Sequence, residues 1–124
     1  MMKTSQKYKE IFKLKRMLEK ENIPFEFSEG FGYDYDDLVK KLYPELCEHY
    51  QICYPSKGEN QWISVIEGFG TYGGEQDRLE IMGGFTPWEK FKYGDSVIGF
   101  LTANNVYKRI KKHYIKNLIE RGII

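Results

Sequence analysis

The chain is poor in the features that announce a special environment. Of its 124 residues only two are cysteine, Cys47 and Cys53, too few for a disulfide-stapled scaffold. Only four are proline, and no Pro-rich, Ser-rich or repeated stretch marks a linker, so one domain over residues 1–124 is expected. Long apolar runs are missing as well. The longest stretch without a charge, Ser96 to Tyr107, spans twelve residues and holds Gly99, Thr102, Asn104 and Asn105, too short and too polar to cross a bilayer. The first twenty residues carry Lys3, Lys7, Lys9, Lys13, Lys15 and Arg16 where a secretion leader has an apolar core. The expectation is a reduced, cytoplasmic protein with no membrane partner. Net charge is nearly absent too, at +1. That balance argues against a uniformly basic nucleic-acid binder and against a uniformly acidic mimic of DNA.

What is present is aromatic: ten Tyr, eight Phe and two Trp, a load that belongs to a packed core rather than a disordered tail. Tyr8, Ile11, Phe12, Leu14, Lys15 and Leu18 fall on one stripe at helical spacing. They predict a helix near residues 4–21, capped by Thr4 or Ser5 and stopped by Asn22 and Ile23-Pro24. Phe25 to Phe27 reads as a short strand. Asp34 or Asp36 could cap a helix through Leu38, Val39, Leu42 and Leu46, interrupted by Pro44. Three stronger strand signals follow, at residues 50–54, 62–68 and 78–83, each bounded by turn residues. In the last, Arg78 to Met82 alternates polar with apolar, which predicts Arg78 and Glu80 on a wet face. Val97 to Leu101 predicts a further strand. Val106, Ile110, Tyr114 and Leu118 recur every four residues between Thr102, a good N-cap, and Gly122, a good C-terminal stop, and predict a helix near 103–121. Consecutive strands with short links pair antiparallel. The fold class is therefore α+β: an antiparallel sheet of three to five strands packed against N-terminal and C-terminal helices in two layers. Ile11, Leu18, Ile52, Val65, Leu79, Ile81, Val106 and Ile110 are expected inside.

The small net charge conceals segregation. Residues 1–20 and 103–124 each carry net +5, and residues 21–102 carry −9. Exposed helix faces favour lysine for propensity and solubility alone. The same layout also suits two basic helices that meet phosphates or an acidic partner through Lys108, Arg109, Lys112 and Lys116, or a homodimer that stacks opposite charges.

Six of the twelve glycines lie between Gly68 and Gly84. The stretch Gly68 to Asp77 joins two strands. It has no Gly-Lys-Ser/Thr ending and no following helix, so it is neither a phosphate loop nor a dinucleotide fingerprint. One reading is a bulged hairpin link in which glycine supplies positive φ. The other is a binding loop: Gly73 and Gly74 bare the backbone, Phe69 and Tyr72 offer stacking faces, and Glu75, Gln76 and Asp77 offer hydrogen bonds. Tyr54 and Ser56, ending the neighbouring strand, are expected beside it.

Chemistry of other kinds has thin support. Cys47, His49 and Cys53 with distant His113 match no common zinc spacing, and neither a metal nor a cofactor is expected. The same residues are the only Cys–His pair for nucleophilic catalysis. Glu67, Glu75, Asp77 and Glu80 could in principle hold magnesium in a nuclease, but Glu80 beside Arg78 reads better as cross-strand pairing.

The segments Tyr50 to Ser56, Ser64 to Ile66, Thr71 to Gly83 and Asp95 to Ala103, with Val106, Arg109 and Ile110, resemble a family of short uncharacterised phage and prophage proteins of Gram-positive bacteria, over about residues 50–113. The resemblance carries no catalytic residue. It implies a small accessory protein inside the host cell during infection. Together with the absence of a catalytic constellation in the sequence, it makes the expectation a non-enzymatic protein that binds and blocks a host target, such as a defence system in the anti-CRISPR manner, acting on a host protein or a nucleotide signal. The alternatives are a nucleic-acid binder using the basic helices and a metal-dependent nuclease using Glu67, Glu75 or Glu80.

Overall fold

A computed structural model describes residues 7–30, 37–43, 48–94 and 96–124. Their order is α1 (Glu10–Lys20), β1 (Glu26–Glu29), α2 (Asp37–Leu42), β2 (His49–Tyr54), β3 (Ile63–Gly68), a 3₁₀ turn (Gly74–Gln76), β4 (Leu79–Gly83), α3 (Pro87–Tyr93), β5 (Val97–Leu101) and α4 (Ala103–Glu120). The strands form one five-stranded antiparallel meander in sequence order, so each is joined to its neighbour by a local connection. This is the α+β class read from the pattern. Among the described residues no helix is long and apolar enough to cross a membrane.

Alternation along the strands decides the two faces. Tyr50, Ile52 and Tyr54 of β2 pair with Glu67, Val65 and Ile63 of β3, and Val65 pairs with Ile81 of β4. These residues form the inner face. The apolar stripes of α1 (Ile11, Phe12, Leu14, Leu18) and α4 (Ala103, Val106, Ile110) close over it in a common core. All eight residues expected inside are fully buried. Phe12 meets Tyr50 edge-on with ring centroids 4.9 Å apart, and Phe27 of β1 at 5.5 Å.

Several expectations change in the structure. Helix α1 starts at Glu10 rather than near residue 4, and residues 7–9 precede it outside the helix. Its cap comes from tertiary structure: Asp77 Oδ1 accepts the N–H groups of Lys9 (2.7 Å) and Glu10 (3.0 Å). Glu67 Oε1 accepts that of Ile11 at 3.0 Å. Helix ends leave their first N–H groups without intrahelical partners, and two distant carboxyls supply them here. The proposed caps Thr4, Ser5, Asp34 and Asp36 lie outside the described residues, as do Pro44, Leu46 and Cys47.

Glu80 is not on a wet face. It is buried, because the link from Gly68 to Asp77 folds back over the outer face and Tyr72 N–H donates to Glu80 Oε1 at 2.8 Å. Helix α3 was not among the expected elements, although its signal is local. Thr86 and Glu89 form a reciprocal capping box around Pro87, the Thr-x-x-Glu pattern that opens a helix.

Candidate functional site

Two clusters of the residues singled out in the sequence sit at opposite ends of β3. The antiparallel register sets Tyr54 opposite Ile63 and His49 opposite Gly68. The expectation that Tyr54 and Ser56 flank the glycine-rich loop is therefore corrected: β3 separates them by roughly 17 Å at ordinary strand rise.

At the loop end, Gly73 and Gly74 are buried and structural. A Cβ on Gly73 would lie 2.9 Å from Phe100 N, and one on Gly74 would clash with Gly68 O. Thr71 Oγ1 donates to Gly68 O at 2.8 Å and accepts Gly68 N–H at 3.2 Å. The β4–β5 register slips between Leu79 and Ile81, so Glu80 faces both Gly99 and Phe100 in a β-bulge. Phe100 there takes φ +60°, uncommon for a bulky residue, and its N–H donates to Tyr72 O at 3.2 Å. The backbone of Tyr72 is thus held at both its N–H and its carbonyl. Its ring, with those of Phe69 and Phe100, is left exposed, and Glu75 and Gln76 stand exposed beside it.

At the other end, the β2–β3 hairpin meets α4. Tyr54 is buried, and its hydroxyl lies 2.9 Å from His113 Nδ1. A buried hydroxyl proton needs an acceptor, so Tyr54 donates to Nδ1 and the ring proton of neutral His113 stands on Nε2. Burial pushes the Tyr54 phenol up to about 12. Burial, reinforced by Lys116, holds His113 below the usual histidine range. The His113 ring stacks on Trp62 with centroids 4.1 Å apart and planes 23° from parallel. Tyr54 meets both rings edge-on, at 5.5 Å and 6.0 Å.

This three-ring cluster borders two grooves, and Trp62 and His113 line both. The larger, about 670 Å³, is bounded by polar side chains including Ser56, Asn60, Gln61, Asn117 and Arg121. The smaller, about 310 Å³, runs along Gly84 to Pro87 and is flanked by Arg109, Lys112 and Lys116. Five binding candidates from the sequence, Tyr54, Ser56, Arg109, Lys112 and Lys116, thus line the two grooves. Lys108 lies exposed on α4 but outside their walls. Arg109 is committed to structure. It holds Glu89 through two bonds, 2.6 and 2.7 Å, and also reaches Gly84 O and Asn105 Oδ1. The Arg109 guanidinium holds the Glu89 carboxyl down at about 2 and ties α3 to α4. Sequence reasoning missed Asn60, Gln61 and Asn117, and gave Trp62 and His113 no binding role. A turn, a strand start and a mid-helix histidine carry no local sign of meeting.

The metal alternatives lose their geometry. His49 and Cys53 point to the outer face while His113 contacts inner-face Tyr54, so the sheet separates them. Glu67 faces inward, where it meets Asp77, and Glu80 faces outward, so the four nuclease carboxylates do not share one site. Among the described residues no group of three His, Cys, Asp or Glu side chains is placed to hold a metal ion. Compared with known proteins, the chain matches no family profile, no curated protein and no solved structure.

Proposed function

We propose that this chain is a non-enzymatic binding protein whose ligand is a small planar molecule seated against the Trp62–His113 stack. The observation that carries the reading is the stack itself, a half-buried aromatic pair lining both grooves and locked from behind by Tyr54. A ring held rigid before binding loses little entropy when a ligand stacks on it. Polar groups around an apolar platform are the usual furnishing of a small-molecule site. The Tyr54 proton is held far above neutral pH and occupies His113 Nδ1, which suits a scaffold better than proton transfer, where a group titrating near working pH serves best. The resemblance to phage proteins supports a blocking role, the protein withdrawing a host nucleotide signal from its receptor.

Thermal-shift screening with nucleosides, nucleotides and aromatic amino acids tests this. At least one class should raise the melting temperature, and Trp62→Leu should weaken its binding about tenfold or more, as loss of a stacking partner worth ~1–3 kcal/mol implies. A folded Trp62→Leu chain that keeps the full shift would sink the reading.

A second reading, a host protein as target, is favoured by the pinned backbone and exposed ring of Tyr72, since a rigid tyrosine gives contact area at low entropy cost. The Tyr72→Ala, Glu75→Ala double variant separates the two. Both side chains are exposed, so the melting temperature should stay within a few degrees. A tenfold or greater loss of protection in an infection assay would then assign the target to the loop.

A further inference from the structure

We propose that the smaller groove is a phosphate subsite, which makes the ligand of the paired grooves a nucleotide, its base against Trp62 and its phosphate on Lys112 and Lys116. This rests on the groove reading above and adds the ligand's charge and class.

The cations of α4 are used unequally. Lys111 reaches Glu21 at 3.6 Å, and Arg109 makes four bonds to Glu89, Gly84 and Asn105. Lys112 and Lys116 line the smaller groove, are exposed, and make no ion pair among the described residues. They stand one helical turn apart, where like charges repel, so an anion seated between them relieves a repulsion the fold leaves in place. Of the carboxylates near this groove, Glu89 has its charge taken up by Arg109, and Glu120, close enough to act on His113, makes no ion pair with either lysine among the described residues.

The second element is continuity. Both grooves share Trp62 and His113, so a ligand stacked on the aromatic pair lies beside the lysines. His113, which lines both grooves, stands at that junction. The larger groove offers Ser56, Asn60, Gln61 and Asn117, amide and hydroxyl groups that match the donor and acceptor edge of a base. Planar base, polar edge and an anionic end together describe a nucleotide better than an aromatic amino acid or an uncharged nucleoside.

The experiment uses the full chain carrying Trp88→Phe, which leaves Trp62 as the only tryptophan, and follows its fluorescence with adenosine, AMP, guanosine, GMP and a ten-nucleotide single-stranded oligomer. The expected result is quenching by AMP or GMP at least tenfold tighter than by the matching nucleoside. A Lys112→Gln, Lys116→Gln variant should bring the nucleotide down to the nucleoside's affinity and leave the nucleoside unchanged. Equal affinity for nucleoside and nucleotide would overturn the phosphate subsite and leave the groove reading standing. Quenching by none of the probes would overturn both. An oligomer a hundredfold tighter than either mononucleotide would overturn the inference in favour of a nucleic-acid channel.

Discussion

Replacing Asp77 by alanine should lower stability by about 3 kcal/mol at neutral pH, while Glu67→Gln should leave the protein at least as stable as the parent. The asymmetry follows from which carboxyl holds the proton. Glu67 is fully buried, and burial, helped by the neighbouring Asp77 carboxylate, pushes it up to about 9. Its Oε1 accepts from Ile11 N, and its Oε2 has no partner at strict hydrogen-bond geometry. The side chains of Glu67 and Asp77 nonetheless interact directly, and the proton carried by Glu67 makes that approach attractive. For Asp77, burial alone would raise the carboxyl. Its bonds to Glu67, Glu10 N and Lys9 N outweigh burial and hold it below its ordinary value. Asp77→Ala removes a charged acceptor from two helix-start N–H groups, where loss of a cap costs about 0.5–2 kcal/mol. It also strips the buried Glu67 of its partner, where an unsatisfied polar group costs about 1–3 kcal/mol. The damage should spread to α4, because Glu10 Oε1 in turn accepts Ala103 N–H at 2.9 Å.

The pH dependence separates the two carboxyls. The native protein keeps the Glu67 proton up to about 9, whereas the unfolded chain loses it near 4.5. Between those values the folded state binds more protons, so this group's stabilisation is complete below the unfolded value and is lost as pH rises. The slope is about 1.4 kcal/mol per pH unit and halves as the native proton is lost near 9, which makes roughly 2 kcal/mol between pH 7 and 9. Asp77 acts in the opposite sense: its stabilisation is present above about 3.8 and is lost as pH falls below it. Denaturant unfolding of the parent and Glu67→Gln across pH 6 to 9 should show the parent falling away while the variant stays flatter. Parallel curves would show that Glu67 is ionised in the native state.

The second large effect lies at the centre of the sheet. Ile81→Ala should cost about 2–4 kcal/mol, the range for truncating a buried isoleucine to alanine. Ile81 is fully buried, pairs with Val65 on β3 and Ile98 on β5, and lies in the same core as Val106 and Ile110. It is held from both sides in the sheet and covered from above, so the cavity has little room to collapse. A midpoint unchanged in urea would place Ile81 outside the cooperative core.

These two predictions differ in how far they were legible. Ile81 was readable because alternation in Arg78 to Met82 marks an apolar face whatever the strand packs against. The same pattern misread Glu80. Alternation did separate Glu80 from the Leu79 and Ile81 side, and Glu80 does point to the outer face. Whether that face is wet depends on what folds over it, here the link carrying Tyr72. Glu67 shares the parity of Ile63 and Val65, so the strand pattern already pointed it toward the core. What it meets there, the start of a helix 56 residues earlier, has no trace in the neighbouring residues.

The sequence by itself determined the fold class, the core and the elements that build them, with α3 and the start of α1 the exceptions. Helical and strand periods repeat over a few residues, and burying the stripes they create drives the same packing in any chain so patterned. Tertiary structure alone decided the cap on α1, the separation of the loop from Tyr54 and Ser56, the commitment of Arg109 to Glu89, and the meeting of Trp62 with His113. Each depends on strand register or on where α4 crosses the sheet. Such juxtapositions join residues tens of positions apart, and it is the packing of the whole core, rather than any local repeat, that brings them within bonding distance.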